Sequence, residues 1–426
     1  MNNRRSLILA AAAAAAAGAL PALVRAAMGP SDKFDLLIRG GDVLDPSQNL
    51  RGVRDIGIRY GVIEAVEASI PADRARRVLD AKGRLVVPGL IDLHSHVYPY
   101  GSAIGIPADE LVPYQGTTTT VSAGDAGANN FAGFRRFIVG STRTRLYAFV
   151  HIANVGLSSS PVPELLNIDF AQVELAARAI AENADIVLGV KVRMSENVIA
   201  KHGLEPLNRC IRACEMSGVR GAKVMCHIGG VETARMMSDI LDLLRPGDIL
   251  THCYTGAPNQ SKQFTNIVQE GKLVPAALAA KRRGVVFDVG HGGGSFDYTV
   301  AEAAIAGGAA PDTISSDIHV FSGNSPGMPY LTWVMSKFLN MGFTLEQVVA
   351  MATVNPARVI GKLPKLGTLA VGAPADVTTL DVVEGPVEFV DTRSNKRQGK
   401  VHIKPAQTVI AGVAFGRPYG FPFSPR

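Results

Sequence analysis

The 426-residue sequence predicts an α/β fold: a (β/α)8 TIM barrel with a small β-sandwich domain built from both termini. Three observations carry that expectation. Between residues 88 and 360, short apolar runs alternate with helical stretches, the signature of β/α units. Eight such runs spread over about 270 residues are what a closed barrel needs. Residues 34–87 and those after Leu366 instead show short strands broken by closely spaced turn residues, which is an all-β texture. The domains are therefore read as 34–87 with 366–426 for the β unit and 88–365 for the barrel. An open doubly wound sheet is the alternative, and no glycine-rich dinucleotide fingerprint follows the first strand to support it.

In chain order, Asn3-Arg4-Arg5-Ser6-Leu7-Ile8-Leu9 opens the sequence and an alanine-rich apolar run follows to Val24. With Val24-Arg25-Ala26 as a small-residue cleavage site, residues 1–27 have the layout of a twin-arginine export signal and predict a periplasmic protein. An uncleaved anchor is the other reading, but alanine is a weak membrane residue beside leucine, so no stable membrane anchor is expected. Loss of this segment removes Arg4, Arg5 and Arg25 and no acid, and the formal charge drops from +6 to +3. The densest basic run, Arg74-Ala75-Arg76-Arg77, stands beside Asp73 without interleaved aromatics, so no nucleic-acid partner is expected. Four cysteines are too few for a disulfide scaffold. Cys210 and Cys214 on a helix, and Cys226 and Cys253 beside histidines, read as buried thiols, with a bridge left open in an oxidising compartment.

The β unit begins with runs at 36–44, 55–58 and 61–66 and resumes at 367–369, 375–380 and 408–413. The barrel strands are read at 90–94, 117–122, 146–151, 186–192, 223–227, 248–252, 285–289 and 313–317. The first follows Pro88-Gly89 and runs Leu90-Ile91-Asp92-Leu93-His94-Ser95-His96. Side chains on a strand repeat with period two, so His94 and His96 point to one side and can grip one cation. Alone, a His-x-His has an equally good reading as two loop histidines. Later strands also end in polar residues: Lys191, His227, His252 and Asp317. Singly these read as a salt-bridge partner, satisfied core histidines and a helix cap. Together, at the strand ends of one barrel, they converge on one mouth.

These residues resemble the amidohydrolase superfamily of metal-dependent hydrolases, over nearly the whole length. The matching features are Pro88-Gly89-Leu90-Ile91-Asp92-Leu93-His94-Ser95-His96, the lysine of strand 4, the histidines of strands 5 and 6, the aspartate of strand 8 and Asn355-Pro356-Ala357. Within the superfamily the chain looks most like the dihydroorotase-like branch that includes deacetylases of N-acetyl-D-amino acids and acetylated 2-hydroxy acids. The resemblance implies two divalent metal ions, zinc by preference. His94 and His96 would hold one, His227 and His252 the other, and a carbon dioxide-derived carbamate on Lys191 would bridge them. Asp317 would bind the first ion and act as the catalytic proton carrier. The implied chemistry is hydrolysis of an amide or ester bond of a small acylated carboxylic acid by a metal-activated hydroxide. Opening of a ring amide and a non-catalytic scaffold role are the alternatives.

Dihydroorotases usually carry an arginine two residues after the second histidine, where this chain has Tyr98. Tyr98, Asn154, Arg193 and His291 lie near predicted strand ends and are the candidate substrate contacts. Arg193 has a second reading as an outward-facing surface ion pair, and His291, in Gly290-His291-Gly292-Gly293-Gly294, as part of a flexible loop. His319 would share the face of Asp317 if strand 8 continued, and is read instead as opening the loop after it. A small-molecule substrate is the expected partner, and a homo-oligomer is compatible with the sequence.

Overall fold

The computed structural model describes residues 28–29, 31–159 and 161–416. The predicted export signal at 1–27 and the last ten residues of the β unit lie outside them. Five strands of the β unit come first: β1 (Leu36–Asp45), β2 (Leu50–Arg59), β3 (Val62–Glu67), β4 (Val78–Asp80) and β5 (Leu85–Pro88). The parallel barrel strands follow as β6 (Leu90–Ser95), β7 (Thr117–Gly127), β8 (Arg145–His151), β9 (Val187–Arg193), β10 (Lys223–His227) and β11 (Ile249–Thr251). After a two-stranded ribbon, β12 (Val268–Gln269) and β13 (Lys272–Leu273), β14 (Val286–Asp288) completes a sheet ordered β14-β11-β10-β9-β8-β7-β6.

Both β6 and β7 are buried along their whole length, as parallel strands covered on two faces must be. Ile91, Leu93, Val121, Ala123, Phe149, Met225 and Ile249 form one core cluster, capped by Ile360 and Leu366. A larger cluster joins other strand residues such as Val150 and Val190 to helices that include Val173–Glu182, Glu205–Met216 and Leu331–Asn340.

The eighth strand is the element that differs from expectation. Residues 313–317 form no ladder, and isolated bridges tie Thr313 to Asp288 of β14 and Ile318 to Ser95 of β6. These two bridges still close the barrel. The reason is chemical: Ser316 N donates to the Asp92 carboxylate at 3.0 Å, so side chains have taken backbone groups that a ladder would use. Asp317 then adopts a left-handed φ of 50°, which no regular strand allows.

The two ends of the chain meet in an eight-stranded, mostly antiparallel sheet with its own core of Leu36, Ile38, Ile56, Val86, Val377 and Val409. Its C-terminal strands are β15 (Val377–Val390), β16 (Lys396–Ile410) and β17 (Val413–Ala414), and β5 pairs with β15 to join the termini. The β15–β16 hairpin is far longer than the runs at 375–380 and 408–413. Its outer half alternates half-buried and exposed residues around Gly385-Pro386, a pattern that reads as surface loop in sequence. It is ordered by the barrel: Phe389 and Ile403 join the larger core cluster, and Ile403 N donates to Ser336 Oγ at 2.9 Å. Gly89 is the single residue between β5 and β6, and a Cβ there would collide with the Thr118 side chain. Sheet and barrel are thus joined where only glycine fits.

Candidate active site

The site grows from the ends of the barrel strands. His94 ends the apolar part of β6, and its Nδ1 lies 2.7 Å from Thr251 Oγ1 on β11. The Thr251 hydroxyl donates its one hydrogen to Asp288 Oδ2 at 2.8 Å, so it accepts from His94 Nδ1–H. That fixes the proton on Nδ1 and leaves the Nε2 lone pair facing inward. His96 follows the same pattern with Asp125 Oδ1 at 2.9 Å from Nδ1, while Asp125 Oδ2 accepts from Val97 N and Ser122 Oγ. His252 Nδ1 is 2.5 Å from the Gly290 carbonyl, which can only accept, so its Nε2 is also left unprotonated. His227 differs, with Nε2 3.2 Å from Ser195 Oγ.

Asp317 Oδ1 lies 3.2 Å from His94 Nε2 and 3.1 Å from His96 Nε2. Lys191 Nζ lies 3.1 Å from His94 Nε2, and the His252 ring centroid is 4.8 Å from that of His94 and 4.3 Å from that of His227. One ligand atom each from His94, His252 and Asp317 falls within 4.8 Å of the others, the spacing of a metal site. The structure therefore brings together all six residues singled out at the strand ends. His252 and Asp317 both have left-handed backbones, with φ of 61° and 50°. Such strain costs of order 1–3 kcal/mol per residue and gathers at functional sites.

Burial is the strongest influence on the titration of this cluster. It carries His94 and His227 well below the ordinary imidazole value, with neighbouring cationic groups adding to the effect, and lowers His252 to about 4. It also lowers Lys191 to about 8. Burial opposes protonation of His96 as well, yet the Asp125 and Asp317 carboxylates overcome it and raise His96 to about 9. Asp317 is held well below the usual carboxylate range by His96 and His252, against the desolvation that opposes its charge.

A deacetylase of Agrobacterium fabrum is 36% identical over 355 residues, covering 83% of this chain and 84% of its own. Residues 295–415 match the model of the Amidohydrolase family. The chain belongs to the amidohydrolase family. Among solved structures, one titled as an adenine deaminase superposes with a TM-score of 0.80 at 30% identity over 90% of this chain and all of that one. A second, titled as a dihydroorotase, gives 0.78 at 33% identity over 89% and 97%. The protein is accordingly a hydrolase with the barrel and β domain of that family.

In this amidohydrolase the candidate substrate contacts divide. Arg193, in register with His227 on β10, points its Nε and Nη2 at Glu164, 2.8 and 2.6 Å away. It is an inward-held residue rather than a surface one. Asn154 donates to Gln172 Oε1 at 3.1 Å, and its buried Oδ1 has no partner among the described residues. Tyr98 sends its hydroxyl to Asn130 O at 3.4 Å and packs its ring on Phe134. His291 has both ring nitrogens engaged, Nδ1 with Gly292 O at 2.9 Å and Nε2 with Lys337 Nζ at 2.8 Å, and it stacks on Phe296. That geometry ties the loop after β14 in place through His291.

Several supporting residues were missed in the sequence. Asp125 lies on the far part of β7, beyond the expected end at Ser122, and Thr251 and Asp288 look like ordinary strand residues. His319 also stands beside the cluster, its ring 5.9 Å from that of His96 and its charge acting on Asp317.

Proposed function

We propose that this amidohydrolase is a deacetylase-like enzyme that cleaves an amide or ester bond of a small acylated carboxylic acid at a centre of two divalent ions, zinc by ligand chemistry. One observation carries the reading: the hydrogen bonds to Thr251 and Gly290 O keep the protons of His94 and His252 on Nδ1, and Asp125 holds the Nδ1–H of His96 so that its Nε2 proton is the one a cation displaces. Two Nε2 lone pairs are thereby left for a cation beside the Asp317 carboxylate, and a third is freed when His96 gives up its Nε2 proton. Imidazole and carboxylate without thiolate suit zinc. Outer hydrogen bonds of this kind are what orient metal-binding histidines. His94, His96 and Asp317 would hold one ion, His227 and His252 the other.

Lys191 fits the bridging position as a carbamate. An ammonium beside two dications is repulsive, and burial has already brought this amine to about 8, so a neutral fraction exists at physiological pH. The Nζ lone pair adds to the carbon of carbon dioxide, one proton leaves, and the product is an anionic oxygen ligand. Bound divalent ions lower the pKa of water far below its bulk value of about 15.7 and polarise a carbonyl. Asp317 takes the proton of the attacking water and returns it to the leaving nitrogen or oxygen. Arg193 is placed to meet the substrate carboxylate, and Asn154 Oδ1 is an unspent acceptor for an amide N–H. Tyr98 stands where dihydroorotases carry their carboxylate-binding arginine. The relative from Agrobacterium fabrum, named a deacetylase, supports the acyl substrate.

Metal analysis of protein purified without chelator tests the reading, and fewer than about one ion per chain overturns it, because the hydroxide depends on bound metal. The similarity to a dihydroorotase structure favours ring opening as the second reading. Product analysis on matched linear and cyclic amides separates the two. We further propose, from the twin-arginine pattern at Arg4-Arg5, that the enzyme is exported to the periplasm, and fractionation of cells expressing the full chain, with and without Arg4→Lys/Arg5→Lys, tests that.

A further inference from the structure

The loop between β8 and the helix Val173–Glu182 carries one acid inward. Glu164 is 3% exposed, next to the fully buried Leu165. Its two oxygens take the Nε and Nη2 of Arg193, a bidentate pair at 2.8 and 2.6 Å. A third group closes the cluster: His151, the last residue of β8, has Nε2 3.1 Å from Glu164 Oε1, off the line of a good hydrogen bond, while its Nδ1 accepts from Ala153 N at 3.0 Å. His151 pairs in register with Lys191. The acid therefore sits one strand from the candidate bridging lysine, on the mouth side of the barrel.

A guanidinium has five N–H donors and two edges that match a carboxylate. Glu164 occupies the Nε–Nη2 edge. Nη1 has no hydrogen bond among the described residues, and the Arg193 side chain keeps 30% of its surface exposed. One edge is consumed and one is presented. An arginine at the end of a strand would otherwise sample several rotamers, whose freedom is lost on binding. The buried acid removes that freedom in advance, and pre-organisation of this kind appears in substrate affinity.

We propose that Glu164 is a positioning residue, which locks Arg193 so that its free Nη1–Nη2 edge receives the carboxylate of the substrate at the barrel mouth. This rests on the reading of the substrate as an acylated carboxylic acid and names the element that selects the acid. The opposite role is equally explicit: an acid paired with Arg193 would cancel its charge and weaken anion binding. The two roles differ in sign.

The test compares an N-acetyl amino acid with its neutral carboxamide on the metal-loaded full-length enzyme, using wild type and Glu164→Gln, with metal content measured in each. Removing one member of a charge-assisted pair is expected to lower kcat/KM for the acid about tenfold or more, mainly through KM, and to change the carboxamide less than about threefold. Arg193→Ala should show the same preference loss, and the double variant should add little to it. Equal losses on both compounds mean a merely structural pair and overturn the proposal. Improved use of the acid means charge cancellation and overturns it too. If Glu164→Gln does not fold, Glu164→Asp, which keeps the charge and shortens the reach to Arg193, carries the same comparison, with an acid-selective loss expected and equal losses or improved use of the acid overturning the proposal. Wild-type enzyme active on both compounds with an unmoved ratio in the variant refutes the positioning role alone. Metal-loaded wild type that hydrolyses neither compound nor any other acyl acid refutes the hydrolytic reading and this inference with it.

Discussion

Replacing Asp125 by asparagine should invert the tautomer of His96 and cost metal affinity while leaving the shape of the site almost unchanged. Asp125 accepts three hydrogen bonds: His96 Nδ1 on Oδ1, and Val97 N at 2.8 Å with Ser122 Oγ at 2.7 Å on Oδ2. Asparagine has one oxygen and one NH2. With its oxygen toward Val97 N and Ser122 Oγ it satisfies two donors, and its NH2 then faces His96 Nδ1, which must become the acceptor. The flipped amide would serve His96 but would set NH2 against the backbone N–H of Val97, leaving a buried donor unsatisfied at about 1–3 kcal/mol. The first arrangement therefore wins. The proton of His96 moves to Nε2, where it points at Asp317 Oδ1, and the lone pair a cation needs is gone.

Loss of such outer support typically costs 10–100-fold in metal affinity, about 1.4–2.7 kcal/mol. A second effect works against it at neutral pH. In metal-free wild type the two flanking carboxylates hold His96 protonated to about 9, so metal binding must displace a proton, and the affinity of wild type rises with pH up to that value. The Asp125→Asn protein lacks one of the charges that raise His96 and avoids part of this cost. Competition titrations with a chromophoric chelator should therefore show the full loss at pH 9 and a smaller one at pH 7. Wild-type affinity at pH 9 in the Asp125→Asn protein would refute the tautomer argument.

Lys191→Ala should lose bound metal and activity together, by at least the 100-fold upper range of an outer-residue change, and unchanged metal content by elemental analysis would remove the bridging role. Gly292→Ala should reduce kcat in a folded protein, because Gly292 has φ of 54° and a Cβ there would collide with Asp317 Oδ2. A wild-type kcat would show that Asp317 needs no fixed position. Lys337 is fully buried, donates to Gly327 O, Val390 O and His291 Nε2, and is lowered by burial from 10.5 to about 7. Between those values the unfolded chain binds more protons than the folded one at this site, so stability must rise with pH through that window. Chemical unfolding from pH 7 to 10 should show this rise in wild type and a flatter profile in Lys337→Met, and parallel profiles would refute it.

The ligand positions were legible because of where they stand. Parallel strands buried on both faces are almost wholly apolar, so His94, Lys191, His227, His252 and Asp317 are conspicuous as the polar ends of Leu-, Ile- and Val-rich runs. The fold followed from the same alternation. The supporting acids carry no such mark. Asp125 lies in Ser122-Ala123-Gly124-Asp125-Ala126-Gly127, a turn-like composition that the barrel holds as strand. Thr251 and Asp288 acquire their role only when β11 and β14 lie side by side, with Thr251 bridging His94 to Asp288. Glu164 is one acid in a long loop, and its importance depends on an arginine 29 residues away.

The irregular eighth segment shows why a strand-based reading fails nearest the chemistry. A regular ladder from Thr313 to Asp317 would send alternate side chains to opposite faces. Here Ser315 Oγ donates to Asp288 Oδ2, Ser316 donates its N–H and hydroxyl to Asp92, and Asp317 N donates to His94 O at 2.7 Å. These side-chain bonds add to the backbone bonds that Ser315 and Ser316 O accept from His291 and Gly292 N. The left-handed turn at Asp317 is the consequence, and it delivers Oδ1 to within 3.2 Å of both His94 Nε2 and His96 Nε2. Backbone bonds from Val289, His291 and Gly292 N to Thr313, Ser315 and Ser316 O, and from Asp317 N to His94 O, tie the segment to both neighbours, while the buried acids Asp92 and Asp288 take up its side-chain donors and the Ser316 N–H, so that the carboxylate of Asp317 is aimed by a segment fixed on every side.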